Sequence, residues 1–284
     1  MKTTLIVGIE TLAGRYLAAH FSNTQRVIGV RTSDRSTEPA MLINDKVDQV
    51  IFCGDASASS WETNSRDSLL CQDSQNLVSC LQACKATDRS FVFLSSDHVF
   101  DGPWMFHTEE SSSFAQTPRA HSIRSQEEIV GQYKKSLVVR THVTGFSPGS
   151  LLSHSVFGGL NQEYSASIHH ATPIHAGRFP MLLEELLRHQ PIGLYHLAGG
   201  ERISRNQLLT RLALEFGGIE QVISGSDRQS PRRETSLRSS RAKSLLDSGL
   251  PTIADLMADI ATDLDSGVAE KMTERTLPAP SKVA

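Results

Sequence analysis

Chemistry-bearing residues cluster at a few points along this chain. The first is Gly8-Ile9-Glu10-Thr11-Leu12-Ala13-Gly14, set between a strand-like and a helix-like run. A turn of this kind binds a diphosphate when its first glycine makes the tight turn, a middle glycine lets the backbone approach the phosphates, and a last glycine lets helix pack on strand. Gly8 and Gly14 supply the outer two. The middle position is Thr11, and Glu10 puts a carboxylate where a helix N-terminus would favour a ligand anion. Arg31 follows the next strand-like run, where an acidic residue would hold a ribose diol and an arginine suits a 2′-phosphate. Ser96, Asp97 and His98 close a later apolar run. His121 stands beside Ser122, and an imidazole titrates near neutrality, so it is a candidate proton donor. Arg228, Arg232, Arg233, Arg238 and Arg241 form a basic segment that reads either as a phosphate clamp or as a solvated loop. His154, His169, His170 and His175 match no ligand spacing, and no metal site is expected from them.

The elements that must position these groups alternate. Strand-like runs fall at Thr4–Val7, Arg26–Val30, Gln49–Cys53, Phe91–Ser95 and Ser136–Arg140. Helix-like stretches fall at Leu12–Phe21, Asn76–Lys85 and Arg124–Tyr133. Near-continuous apolar strands in β-α-β alternation predict a parallel sheet covered on both faces, a doubly wound α/β fold of the Rossmann type. A smaller C-terminal α+β lobe is expected to follow, with helices at Pro180–Arg188, Asn206–Phe216 and Ile253–Leu264 and a strand at Gly193–Leu197. The expected division is a nucleotide-binding domain over 1–145, lobe segments interleaved with it over 146–270, and a flexible tail over 271–284.

Composition narrows the classes. A formal net charge of −3 gives no footprint for nucleic acid or an anionic membrane. No apolar run approaches the roughly 20 residues of a membrane span. Cys80 and Cys84 share a helical stripe with Leu77 and Leu81, which reads as core packing rather than metal or disulfide chemistry. The expected compartment is reducing cytoplasm.

The segment Phe93-Leu94-Ser95-Ser96-Asp97-His98-Val99-Phe100-Asp101-Gly102, with Thr108-Glu109-Glu110 after it, resembles the extended short-chain dehydrogenases, and within them the dTDP-4-dehydrorhamnose reductases. Leu137-Val138-Val139-Arg140-Thr141, Pro173-Ile174-His175-Ala176-Gly177, Tyr195-His196-Leu197-Ala198-Gly199-Gly200 and Ser236-Leu237 extend the similarity over residues 4–264. The resemblance implies an NADP(H) or NAD(H) cofactor at Gly8, Thr11, Leu12, Gly14, Arg31, Cys53 and Gly54. It implies a nucleotide-sugar substrate near Asp97, His98, Arg232 and Arg233, and a ketone-polarising hydroxyl at Ser96.

The family's acid is a tyrosine followed four residues later by a lysine that binds the nicotinamide ribose and lowers the tyrosine pKa. Here Ser122 and Gln126 stand at those positions, and Arg178 stands where an aspartate is usual. An aliphatic hydroxyl is a poor acid, and a neutral amide cannot activate it. The expectation is therefore a reductase-like protein without standard reductase activity, with weak or absent cofactor binding. It would bind a nucleotide or nucleotide sugar, or act on a protein partner in a regulatory role. The alternative is an active NADPH-dependent reductase or epimerase that uses His121 or His98 as an atypical donor.

Overall fold

The computed structural model describes residues 1–34, 38–62, 67–157, 168–216 and 232–274, with backbone alone over 67–72. In chain order the elements are β1 (Thr3–Val7), α1 (Leu12–Phe21), β2 (Arg26–Val30), β3 (Gln49–Phe52), α2 (Asp67–Thr87), β4 (Ser90–Ser96), α3 (Pro118–Gly131), β5 (Ser136–Thr141), β6 (Val143–Thr144) and α4 (Leu151–Phe157). They continue as β7 (His169–Ala171), β8 (Ile174–His175), α5 (Phe179–Arg188), β9 (Gly193–His196), β10 (Ile203–Ser204), α6 (Arg205–Phe216), β11 (Arg233–Glu234), α7 (Ser240–Lys243), α8 (Ile253–Asp265) and α9 (Val268–Thr273).

Six strands form one sheet in the order β2-β1-β3-β4-β5-β9, and every neighbouring pair is parallel. Period-two alternation sends successive side chains to opposite faces. Leu5, Val7, Val50, Phe52, Phe91 and Phe93 pack under α2 and α3, against Leu77, Cys80, Leu81, Cys84, Ile123 and Val130. Ile6, Ile51, Val92, Leu94 and Val139 face the other way, onto Tyr16, Leu17 and Phe21 of α1 and Leu182, Leu183 and Leu186 of α5. This is the doubly wound α/β arrangement. Cys53, Cys80 and Cys84 are buried and free.

The remaining segments build the lobe. A three-stranded sheet, β10-β7-β11, and the pair β6-β8 stand over a separate apolar cluster that includes Trp61, Phe146, Leu152, Leu208, Leu212, Leu256 and Ile260. β9 and α5 return from this half of the chain to the main sheet and its cover, so the two halves interleave. Among the described residues, no helix is long and apolar enough to cross a membrane.

Two helices differ from expectation. α3 begins at Pro118, not Arg124: Thr117 caps it by accepting from the Ala120 N–H, and Pro118 occupies the first turn, where its missing N–H costs nothing. α2 runs from Asp67 to Thr87, longer at both ends than Asn76–Lys85. Of the expected tail, 271–273 close α9, and 275–284 lie outside the described residues.

Candidate functional site

The sheet order reverses between β1 and β3, and a doubly wound fold offers its ligand crevice outside the strand ends at that point. Gly8 and Cys53 meet there. Gly8 has φ +93°, and a Cβ on it would stand 2.3 Å from the Cys53 carbonyl oxygen. A Cβ on Gly14 would stand 2.1 Å from the Gly8 carbonyl oxygen. Both glycines are thus required by the turn's own packing, whether or not a ligand is present. Thr11 is the N-cap of α1: its Oγ1 accepts from the Gly14 N–H at 3.1 Å and donates to the Gly8 carbonyl at 2.8 Å. One of the donors that a helix N-terminus offers to an anion is therefore taken by the chain itself.

The neighbouring positions are filled the same way. Glu10 turns toward the loop after β2, where its Oε1 accepts from Thr32 Oγ1 at 3.0 Å and from the Ser33 N–H at 3.2 Å. Arg31 beside it is exposed. Leu12 lines the cleft next to Thr11. Gly54 admits a residue of its own chain: a Cβ there would lie 2.5 Å from Asp73 Oδ2, which accepts from the Asp55 N–H at 2.5 Å. Burial pushes the Asp73 carboxyl up to about 6. From the start of α3, Arg119 reaches Asp55 with Nη1 2.6 Å from Oδ2 and Nη2 donating to its carbonyl at 2.7 Å. That ion pair, mostly buried, ties the end of β3 to α3.

Ser122 and Gln126 sit four residues apart on α3 and share a face. Gln126 is buried, and its Nε2 donates to Ser74 Oγ of α2 at 2.8 Å. Ser122 is half-buried and His121 is exposed, so the adjacent imidazole points away from the interior. Ser96 ends β4 fully buried, and its Oγ has no partner among the described residues. Burial pushes His98 down to about 4, which leaves it neutral near pH 7 and without a proton to give.

Asp97 was expected beside substrate, and the structure buries it completely. Its carboxylate accepts from the Ser60 N–H at 2.9 Å, Ser60 Oγ at 2.6 Å and Thr235 Oγ1 at 2.5 Å, and pairs with His142 Nδ1 at 2.7 Å. Burial alone would raise its pKa. The His142 charge and hydrogen bond, His98 and Ser60 outweigh burial and hold the carboxyl far below the usual range. Since Ser60 and Thr235 spend their hydroxyl protons on Asp97, His169 Nε2 is the donor to both, at 3.0 and 3.2 Å. Trp61 stands edge-on to His142 with centroids 4.5 Å apart. This network joins β4, β5, β7 and β11, the sheet to the lobe. A strand-end carboxylate next to a histidine was visible in the sequence; its inward aim was not.

The basic segment does not converge. Arg232 is exposed, and Arg233 lies 3.8 Å from Asp101 Oδ1. Arg238 sits over the Phe106 ring, and Arg241 pairs with Glu110. The described arginines of this segment each meet a different neighbour, and Arg228 lies outside the described residues. Arg178 grips Asp259 of α8 through Nε and Nη2, at 2.6 and 2.7 Å, so it ties the start of α5, which covers the main sheet, to a lobe helix. His154 is exposed, His170 stands 4.0 Å from Glu234, and His175 stands 3.5 Å from Asp263. Asp55, Asp73, Arg119 and His142 carried no sequence signal as site residues, because the partners of each lie far away along the chain.

Burial gives the protein a pH signature. His98 is pushed down to about 4, and His169 and His196 to about 3, while His107, His170 and His175 are also lowered, each mainly by loss of solvent. A histidine whose folded pKa is depressed contributes stability that is present above its unfolded pKa, roughly 6.5, and lost as pH falls. Glu62, raised to about 7, and Asp73, raised to about 6, act in the opposite sense between pH 7 and 4. The histidines outnumber them. The melting temperature should fall as pH is lowered from 7 to about 4.5, and a rise over that interval would contradict these assignments.

No family model matches the chain, and no curated protein sequence does. Solved structures do. A hypothetical dTDP-4-dehydrorhamnose reductase from Sulfolobus tokodaii superposes with TM-score 0.69 at 24% identity, over 89% of this chain and 97% of that one. The dTDP-4-dehydrorhamnose reductase of Bacillus anthracis, solved with NADP, gives 0.78 at 14% identity over 93% and 100%. The dTDP-glucose 4,6-dehydratase of Streptomyces venezuelae, solved with NAD and TYD bound, gives 0.70 at 15% identity over 95% and 100%. The chain's structural neighbours thus include dTDP-4-dehydrorhamnose reductases and dTDP-glucose 4,6-dehydratases, and it shares their Rossmann-like fold.

Proposed function

We propose that this chain keeps the reductase scaffold but does not perform nicotinamide-dependent hydride transfer, and serves instead as a binding or regulatory protein. The observation that carries this reading is the mostly buried Asp55–Arg119 ion pair, which commits a carboxylate at the cleft beside Thr11 to the start of α3.

The surrounding residues support it. They do not fit a nicotinamide dinucleotide. Thr11 caps the helix and fills the phosphate approach, Asp73 stands against Gly54, and Glu10 occupies the loop after β2. Gln126 brings no cation to a ribose and spends its amide on Ser74. The cleft beside Thr11 measures about 170 Å³, below the roughly 300–1,000 Å³ of ordinary ligand pockets. Fold and function are separable, and here the scaffold glycines remain for packing reasons of their own.

Binding of a nucleotide sugar is compatible with this reading, because a neighbour of the same fold was solved with UDP-glucuronic acid and NAD. The test is NADPH consumption with a dTDP-linked 4-keto sugar by purified protein. The reading expects no sustained turnover.

A further inference from the structure

We propose that a second pocket, at the start of α7, binds a small phosphate monoester with an apolar body. It shares no lining residue with the cleft beside Thr11, so it stands whether or not a dinucleotide enters that cleft.

The pocket measures about 350 Å³, within the roughly 300–1,000 Å³ of ordinary ligand sites. Its polar lining is Arg238, Ser239, Ser240 and Lys243, and Phe106 and Leu250 supply apolar wall. No aspartate or glutamate lines it among the described residues. Arg238 and Phe106 are fixed relative to each other. Arg238 Cζ stands 5.7 Å from the centre of the Phe106 ring, and the Arg238 N–H donates to the His107 carbonyl at 2.7 Å. Phe106 has φ +55°, a conformation that bulky residues seldom adopt, and its N–H donates to Ser236 Oγ at 2.8 Å.

The donors that line this pocket are unspent. Elsewhere in the same segment Arg233 leans toward Asp101 and Arg241 pairs with Glu110. Among the described residues, the Arg238 and Lys243 side chains meet no carboxylate and donate no hydrogen bond. Ser239 is 3% exposed; its Oγ accepts from the Ala198 N–H at 3.0 Å, and its own proton has no acceptor among the described residues. A buried hydroxyl proton without an acceptor is a cost that an anion in the pocket removes.

Two cations, two hydroxyls and no acid call for an anion rich in acceptor oxygens. A phosphate monoester carries nearly two negative charges near neutrality and three strong acceptor oxygens. The fork of Arg238 and the point charge of Lys243 both suit phosphate. A carboxylate would match only one of the two charges. Phe106 and Leu250 then receive the ester group, which should be aromatic or aliphatic rather than sugar-like.

The test uses the full-length protein and three probes: phenyl phosphate, inorganic phosphate and the neutral benzyl alcohol. Binding is followed by calorimetry and thermal shift near pH 7.5 in about 150 mM salt, where distant charges are screened. Phenyl phosphate should bind with a dissociation constant of about 100 µM, and the other two at least about tenfold more weakly. Arg238→Gln and Lys243→Gln, both at exposed positions, should each weaken it at least about fivefold with the melting temperature unchanged. Phe106→Gly accepts the positive φ without strain, removes the ring and should weaken it by about the same factor. Lys46→Gln changes the net charge equally at an exposed lysine outside the pocket and should have no effect. Silence from phenyl phosphate at about 5 mM overturns the proposal. So does equal binding of inorganic phosphate or benzyl alcohol, or a Lys46→Gln effect as large as that of Lys243→Gln.

Discussion

Wild-type protein given NADPH and a dTDP-linked 4-keto sugar should turn over at least about 10²–10⁴-fold more slowly than an ordinary enzyme working near roughly 10 s⁻¹. That range is what a positioned acid contributes, and on the proposed reading the residues at the acid's position do not supply one. Ser122 is a weak acid, Gln126 is neutral and bonded to Ser74, His121 is exposed, and His98 is held neutral by burial. The variant series sharpens the expectation. Ser122→Tyr or Gln126→Lys alone should change nothing measurable, because the phenol depends on the cation for its pKa. The double variant restores the pair, and adding Thr11→Gly removes the cap that occupies the phosphate approach. Even the triple variant should stay within about tenfold of background, since it leaves Asp55 committed to Arg119 and Asp73 against Gly54. Wild-type turnover near the enzyme median would contradict this account, and His121→Ala would then be the next variant to measure.

Asp97→Ala should destabilise the fold by about 3–5 kcal/mol, the ordinary consequence of removing one partner from a buried ion pair. The carboxylate is the common acceptor for Ser60, Thr235 and His142, and it links the main sheet to the lobe. Its loss leaves the buried His142 Nδ1 and the Ser60 and Thr235 hydroxyls without their shared hydrogen-bond partner. At roughly 2–4 °C per kcal/mol for a chain of this size, the melting temperature should drop by about 10 °C. The result also decides between two roles. A carboxylate facing substrate could be replaced within about ±0.5 kcal/mol, as at other positions outside the packed interior. A change that small would return Asp97 to the ligand site.

The residues that were legible in the sequence share a physical feature: their meaning is local. The central strands β1, β3, β4 and β5 are short apolar runs buried on both sides, and the half-buried edge strand β2 falls at Arg26–Val30 as its pattern predicts. Helix α1 carries Leu17 and Phe21 on one stripe. The start of α3 was hidden because Pro118–Gln126 offers only Ala120 and Ile123 as apolar positions. The lobe strands β10 and β11 are two residues each, too short to alternate visibly. At the site, Thr11 and Gln126 could be read as departures from a pattern. What they do in the fold could not be read there, because it depends on partners brought in by topology. Arg119 meets Asp55 from 64 positions away, and Thr235 meets Asp97 from 138. The arginines at 232–241 looked like a clamp in one dimension and disperse in three, each toward a different neighbour.

The central claim is that the nucleotide crevice is closed by the chain's own side chains, and calorimetric titration with NADPH and NADH addresses it most directly. Three groups beside the crevice are committed within the chain: the Gly14 N–H to Thr11, the space at Gly54 to Asp73, and Asp55 to Arg119. Dissociation constants should be no tighter than about 10 µM, or roughly −7 kcal/mol. Submicromolar binding of either dinucleotide would show that the crevice opens, and would contradict the account.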